Sequence, residues 1–580
     1  MRSVGLVAVL AVACSSPPTA PAHPGSATAP APSTTVPAHT LTIVGTNDLH
    51  GALDRLPLFG GYMANLRAAR AADGGGVVLV DAGDLFQGTL ESNLAEGADV
   101  VKAYNQLGYA ATAIGNHEFD YGPVGPLVIA TGDQDPRGAL KARVAEATFP
   151  FLVTNILDEH TGKRIAWPNM PASRLFEVAG VKVGILGAST ESTPYTTMPA
   201  NFVGLKMAKP TAESITAEAQ ALRARGAQVV VAAMHIGSAC KDNDQPEDIA
   251  SCDQKEELFK VLADVPKGLI DVVVAGHTHA AIAHVIDGMA VIESYSSGRA
   301  FGRVDLTVTG GHVSAVAIHK PEVMCTLDKD DNPQAVHDCH PMDYEGHPVV
   351  PDPAVQKIVD DALARTAAQR NEQLGVTLAA PVTKAYKTES IEGNWFTDLM
   401  LAARPDASVA LTNGGGLRAD IPTGGLTYGQ LFEAMPFDNR FALVELEGKH
   451  LRRLVTTNLE RDGGFFSFGG LTAVARCNGG KLDIAIKVGA KPLSETAHYT
   501  LVTTDFLASG GDGVIGKLKL PESAIKVTDV IMRDAIADVL RKQRGATIDP
   551  TKLFDAKHKR MDYEGKRPVV CAGAKPEEGE

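Results

Sequence analysis

Seven side chains in this sequence could act together on one chemistry: Asp48, His50, Asp84, Asn116, His235, His277 and His279. They occur in five short stretches, Asn47-Asp48-Leu49-His50-Gly51, Gly83-Asp84, Gly115-Asn116-His117-Glu118-Phe119-Asp120, Met234-His235-Ile236-Gly237 and Gly276-His277-Thr278-His279. Imidazoles and carboxylates without thiolates form a mixed nitrogen and oxygen donor set that suits Mn, Zn, Fe or Co and does not choose among them. Seven ligands are too many for one tetrahedral ion and enough for two divalent ions that share a carboxylate. Two ions a few ångströms apart can hold a hydroxide for in-line attack on phosphorus and neutralise the charge that develops on the phosphoryl oxygens. One histidine of this kind would read as an ordinary core or loop residue. Five stretches with one layout do not.

The layout is set by what precedes each stretch. The apolar runs 41–44, 77–80, 110–114, 229–233 and 271–275 read as buried strands, and each feeds one polar stretch. A further strand is expected over 181–186, and helices over 62–72 and 211–225, the latter ending at Gly226. Strands alternating with helices predict an α/β (α+β) architecture. Polar residues just beyond buried strands are where such folds keep their chemistry. Val355, Ile358, Val359, Ala362 and Leu363 recur at helical spacing, which predicts a linker helix over 351–374 between a domain at 40–350 and a second at 375–580.

The totals fit a large globular protein. The chain has 580 residues, 44% of them hydrophobic, and a net charge of −14. That charge excludes a general polyanion-binding surface, so no nucleic-acid polymer is expected as a partner and phosphate chemistry must rely on local metals and selected arginines. Arg2 precedes a short apolar run ending at Ala11-Val12-Ala13-Cys14, too short to span a bilayer. Residues 1–14 therefore read as a signal peptide of lipoprotein type, with Ala11 where leucine is usual. Residues 15–39, rich in Pro, Ala, Ser and Thr, read as an extended tether from an acylated Cys14. The expected location is the periplasm or cell envelope, with membrane contact only through that anchor. Six further cysteines in an exported chain read as disulfides with fifteen possible pairings. The local pairs Cys240–Cys252 and Cys325–Cys339 are favoured, leaving Cys477–Cys571 to pin the tail. Asp328-Lys329-Asp330-Asp331-Asn332 reads as a solvated acidic loop, because the rest of a calcium-loop pattern is missing. The repeat Met342-Asp343-Tyr344-Glu345-Gly346 and Met561-Asp562-Tyr563-Glu564-Gly565 has no evident chemical role.

The order D-x-H, G-D, G-N-H-E, H and G-H-x-H resembles the calcineurin-like metallophosphoesterases. In the second half, Asn413-Gly414-Gly415-Gly416-Leu417-Arg418, Pro436-Phe437-Asp438-Asn439 and Phe506-Leu507-Ala508-Ser509-Gly510-Gly511-Asp512-Gly513 resemble the 5′-nucleotidase family. The resemblance covers roughly residues 41–540. It implies a two-sheet sandwich flanked by helices, a smaller α/β substrate-binding domain, and an active site between them. It implies that Asp48, His50, Asp84 and His279 hold one metal and that Asp84, Asn116, His235 and His277 hold the other. His117, oriented by Asp120, would stabilise or protonate the phosphorane and leaving group. Phe437 and Phe506 would sandwich a nucleobase beside Asn439, with Asn413 as a base contact, Asp512 as ribose acceptor and Arg418 as phosphate clamp. Taken singly, Asp120 would read as a capping residue and Arg418 as a surface ion-pair residue. Relatives carry arginines shortly before the Gly393-Asn394 pair, and here Lys384, Tyr386 and Lys387 stand there instead.

The activity this implies is metal-dependent removal of the 5′-phosphate from nucleotides. Cleavage of 2′,3′-cyclic nucleotides or of nucleotide-sugar diphosphates is the nearest alternative. A sulfur-ester hydrolase on the same scaffold is more distant, since its substrate carries no base for the aromatic pair. A surface protein that binds nucleotides without catalysis is the alternative from another class, and the complete ligand set with an intact His117–Asp120 pair argues against it.

Overall fold

A computed structural model describes residues 38–310, 312–324 and 342–571. The leader, Cys14, most of the tether, the Cys325–Cys339 pair and the 328–332 loop lie outside the described residues. The first half is a sandwich of two six-stranded sheets. In one, His39–Thr46 pairs in parallel with Gly76–Asp81, which continues to Ala111–Ala113, and antiparallel with Ala300–Thr309. In the other, Val229–His235 lies parallel to both Val181–Ser189 and Val272–Ala275. Leu41, Ile43, Val78, Val80, Val231, Val274 and Ile292 fill the space between the sheets. Helices cover the outer faces, so the central strands are buried on both sides. That is why they read as unbroken apolar runs rather than alternating ones.

The first helix is longer than its sequence suggests. It runs Leu56–Ala72, with proline in its first turn, and includes Gly60 and Gly61. Two glycines lower helix propensity, which made Tyr62 look like the start. Their reason is tertiary: a Cβ on Gly61 would lie 2.3 Å from the Val350 carbonyl oxygen. The close approach docks the segment that enters the linker helix.

That helix is Pro353–Arg370 rather than 351–374. Asp352 caps it by accepting from the Ala354 and Val355 amides at 2.8 and 3.0 Å. It stops early because Gln373–Leu378 is recruited as a strand against Gly424–Thr427. Arg370 in its last turn pairs with Glu91 at 2.8 Å and Glu433 at 3.3 Å, tying the two halves together.

The second half centres on a five-stranded sheet in the order Phe466–Gly469, Val409–Asn413, His498–Thr504, Arg440–Glu447 and Ile525–Ile531. Helices Ile391–Ala403 and Met532–Lys542 contribute to one of its cores and Gly448–Glu460 to another. Cys240–Cys252 and Cys477–Cys571 are disulfide-bonded. The two copies of the repeat differ in setting. Tyr344 packs on Tyr62 and Phe301, whereas Met561–Tyr563 is a strand parallel to Leu471–Asn478. Among the described residues no helix is long and apolar enough to cross a membrane.

Candidate active site

The turns after five buried strands converge at one edge of the sandwich. Their ligand atoms form two groups, Asp48 with His50 and His279, and Asp84 with His235 and His277, each within 4.8 Å. The backbone is bent to achieve this. Asp48, His50, Asp84, His277 and His279 all have positive φ, between 50° and 82°. A left-handed conformation costs roughly 1–2 kcal/mol per non-glycine residue, least for Asp, Asn and His. Its concentration here marks turns built to aim side chains rather than to fold cheaply. Gly115 makes room for the result, since a Cβ there would lie 2.1 Å from Asp84 Oδ1.

The donor set fits a pair of cations. The Asp48 Oδ2 atom accepts from the Asn47 side chain at 2.8 Å and the His277 amide at 2.9 Å. Its buried Oδ1 has no hydrogen-bond partner and faces His279 Nε2 at 3.3 Å and His50 Nε2 at 3.8 Å. Asp84 Oδ1 is occupied by the His117 amide at 2.8 Å. Its Oδ2 lies 3.1 Å from His235 Nε2 and 4.0 Å from His50 Nε2, a position between the two groups. Backbone carbonyls set the tautomers: His50 Nδ1 donates to the Gln87 main-chain oxygen at 2.8 Å and His235 Nδ1 to the Ala82 oxygen at 2.9 Å. Each Nε2 is thereby aimed inward. Asn116 donates to the Thr196 oxygen at 3.0 Å, which turns its Oδ1 to within 3.0 Å of His235 Nε2.

Imidazole nitrogens meet at 2.9 Å (His50 and His279) and at 3.2 Å (His235 and His277). Such contacts need a shared proton or cation. Burial works against charge on His235, yet Asp84 outweighs it and raises its pKa to about 10. Burial and the His235 charge push His277 down to about 3.

His117 stands beside these groups. Its Nδ1 lies 2.5 Å from Asp120 Oδ2, and Asp120 Oδ1 accepts from the Thr197 hydroxyl at 2.9 Å. Burial disfavours a charged His117, but Asp120 and Asp84 overcome it and hold its pKa above the usual value.

Several residues support the site without having been assigned a role from the sequence. Glu118 accepts from the amides of Asp84, Leu85 and Gly115 at 2.9, 2.7 and 2.7 Å, stitching two site turns together. Glu293 accepts from the Thr278 hydroxyl at 2.6 Å, between the two histidines of that turn. Asp81 accepts from Thr46, Gly83, Tyr104 and Thr112 at 2.6–3.0 Å. Burial raises its pKa to about 6 even with four donors. Asp81→Asn puts an amide N–H among donors and should cost on the order of 2 kcal/mol of stability. It should also loosen metal binding by roughly 10–100-fold. Thermal unfolding with and without added metal checks both.

The second half supplies the other wall. Arg418 Nη2 comes within 2.9 Å of His50 Nε2. Phe437 sits 5.3 Å from the His117 ring and 5.8 Å from the Arg418 guanidinium. Asn413, Phe437 and Asn439 line a small recess open to solvent together with Thr412, Met435 and Met532. The Asn413 amide donates to Asp512 Oδ2 at 3.0 Å. Phe506 does not line that recess. It covers Gly511, where a Cβ would meet three of its ring carbons at 2.5–2.6 Å.

Of the residues preceding Gly393, Lys387 pairs with Asp462 at 3.4 Å on the surface. Tyr386 is 53% exposed, with its ring against Gly464. The Lys384 pKa is lowered by burial and then by Arg418.

The comparisons agree with this geometry. The family model "Calcineurin-like phosphoesterase" matches residues 41–281, and "5'-nucleotidase, C-terminal domain" matches residues 367–519. Together they span more than half of the chain. The chain belongs to the 5′-nucleotidase family.

It is 25% identical over 510 residues to Protein UshA of Yersinia enterocolitica, covering 82% of this chain and 86% of that protein. It is 26% identical over 514 residues to the 5′-nucleotidase of Vibrio cholerae, with the same coverage. The 5′-nucleotidase precursor of Thermus thermophilus has the same fold, with a TM-score of 0.69 at 22% identity, covering 90% of this chain and 99% of that one. This family member is a phosphoric ester hydrolase whose chemistry uses divalent metal ions.

Proposed function

We propose that the enzyme removes the 5′-phosphate from nucleoside monophosphates, outside the cytoplasm, and that a lipid on Cys14 tethers it to the cell envelope. The observation that carries this reading is the placement of Phe437. One ring lies against His117, lines the adjoining recess and stands beside Arg418. A base stacked on that ring would bring a phosphate on the attached ribose to the two ligand groups.

In this reading Asp48, His50, Asp84 and His279 hold one ion, and Asp84, Asn116, His235 and His277 the other. Bound there, divalent ions of Mn, Zn, Co or Fe would supply the Lewis acidity that lowers the pKa of water and offsets charge on the phosphoryl oxygens. Arg418 binds a phosphoryl oxygen through its planar fork. His117, its Nδ1 proton held by Asp120, presents Nε2 to the phosphoryl group and supplies the leaving oxygen with a proton. Asn413 contacts the base, and Asp512, oriented by Asn413, accepts from the ribose hydroxyls. Asn439 and Phe506 complete the base site. The assignment of 40–350 to the metal domain, of the helix Pro353–Arg370 to the linker and of the chain from the strand Gln373–Leu378 onward to the substrate domain follows the same reading.

The stretch before Gly393 supports a second reading. With Lys384, Tyr386 and Lys387 where the resemblance implies arginines, a weaker phosphate clamp suits a phosphorus bearing one negative charge, as in a 2′,3′-cyclic nucleotide or a UDP-sugar. The test is side-by-side hydrolysis of AMP, 2′,3′-cyclic AMP and a UDP-sugar after chelation and readdition of manganese or zinc. Fast metal-dependent release from AMP supports the monophosphatase. Slow AMP turnover beside fast cleavage of either alternative selects the second reading. A protein that binds AMP but turns over none of them would be a binding module.

Arg418→Ala should raise KM for AMP about tenfold or more, as loss of a charge-assisted pair of hydrogen bonds requires. Steady-state kinetics at saturating metal checks it, and an unchanged KM would take Arg418 out of the phosphate site.

A further inference from the structure

We infer that Gln87 and Asn93 are positioning residues that set the base-binding ring Phe437 from the opposite domain; this rests on the nucleotide reading above. The side-chain amides of Gln87 and Asn93 both donate to the main-chain oxygen of Pro436, each at 2.8 Å. The two donors belong to the metal-binding half and the acceptor to the other half, 349 and 343 residues away in sequence. All three residues are buried, Gln87 and Asn93 at 3% and 7% exposure. A carbonyl oxygen has two lone pairs, and here both are used.

The acceptor is well chosen to transmit position. Proline fixes its own φ, so holding its carbonyl orients the peptide that leads into the next residue. That residue is Phe437. On the far side, Arg533 Nη1 donates to the Met435 oxygen at 3.1 Å and to the Phe437 oxygen at 3.4 Å, so the turn is held from both domains.

One of the donors is itself fixed. Asn93 Oδ1 accepts from the Gly88 amide at 3.0 Å and the Tyr121 hydroxyl at 3.2 Å, which leaves its amide pointing at Pro436. Gln87 follows Asp84 by three residues on one loop. The loop that brings Asp84 to the ligand groups thus also sets the distance between Phe437 and His117. Base recognition and phosphate chemistry lie in different domains, and these two amides put them in register.

The test separates registration of the base from general support of the fold. Asn93→Asp keeps the acceptor for Gly88 and Tyr121 and replaces the donor with an oxygen facing the Pro436 carbonyl. Gln87→Met removes the second donor. The metal-loaded wild type and both variants are assayed on AMP and on ribose 5-phosphate, which shares the ester but lacks the base.

Each variant is expected to lose about tenfold in kcat/KM on AMP, mainly through KM, the size of one buried hydrogen bond left unmade. On ribose 5-phosphate, Asn93→Asp should lose less than about threefold. In a Phe437→Ala background the same substitutions should add little further loss on AMP, because the ring they position is gone. Equal losses on both substrates, no loss on either, or full additivity with Phe437→Ala would each overturn the inference. If the wild type treats AMP and ribose 5-phosphate alike, the nucleotide reading falls and takes this one with it. If the wild type discriminates but the variants do so equally well, this inference alone falls. Melting temperatures taken alongside show whether a variant is folded. Should Asn93→Asp not fold, Gln87→Met with the Phe437→Ala background decides by the same criteria.

Discussion

His117→Ala is expected to lower kcat on AMP by roughly 10²–10⁴-fold, the range for a positioned general acid. Two metal ions per chain should remain bound. The split follows from the two ends of the residue. The main-chain amide of His117 donates to Asp84 Oδ1, and alanine keeps that amide. The ring contributes no atom to either ligand group, so its loss leaves their geometry in place. What disappears is an imidazole fixed at Nδ1 by Asp120, which is itself held by the Thr197 hydroxyl. A ring so held presents only Nε2 outward, and one proton can be delivered in one direction.

If that proton goes to the leaving oxygen, the defect should shrink on 4-nitrophenyl phosphate, whose leaving group needs no acid. Asp120→Asn should show a smaller loss of the same kind. Metal content and kcat measured on one preparation decide the matter. Wild-type turnover in His117→Ala would remove its assigned role.

Asp84→Asn should have the larger effect. We expect loss of both ions, and a fall in activity beyond the roughly 10–100-fold typical of a partner outside the coordination shell. Asp84 is 1% exposed, and its Oδ2 is the carboxylate atom that lies near histidines of both groups. Burial opposes its charge, but His235 and His117 outweigh burial and hold its pKa well below the usual carboxylate range. An amide there carries no charge, and if its nitrogen takes the Oδ2 position it turns N–H toward the site.

The fold should survive this change. Asparagine tolerates the positive φ of 59° at this position, and the backbone bonds to Glu118 and from His50 remain. Elemental analysis and thermal unfolding on the same sample check both halves of the expectation. Retention of two ions with normal turnover would take Asp84 out of the shared position.

Much of the fold was legible because its signals are local. A buried parallel strand is a run of apolar residues, and a polar residue just beyond its end lies at the sheet edge. The strands ending near Asp48, Asp84, Asn116, His235 and His277 follow from that pattern alone. Helix ends were less legible. Gly60 and Gly61 argued against a helix that the approach of Val350 requires, and the linker helix ended early because Gln373–Leu378 pairs with a strand far along the chain. Both reasons are contacts between distant residues, to which local propensity is blind.

By itself the sequence determined the donor chemistry: imidazoles, carboxylates and an amide at strand ends, and a second set of glycine, aromatic and arginine motifs. Tertiary structure alone decided how those donors face one another. Asn47 reaches the Tyr295 carbonyl 248 residues away, Glu118 ties Gly115 to Asp84, and Gln87 and Asn93 reach Pro436. It also decided that the Phe506 ring packs on Gly511. The division has a physical cause. A residue's type sets what its atoms can bind, whereas distance and direction depend on backbone bends and long-range hydrogen bonds that form only when separate strands and domains pack.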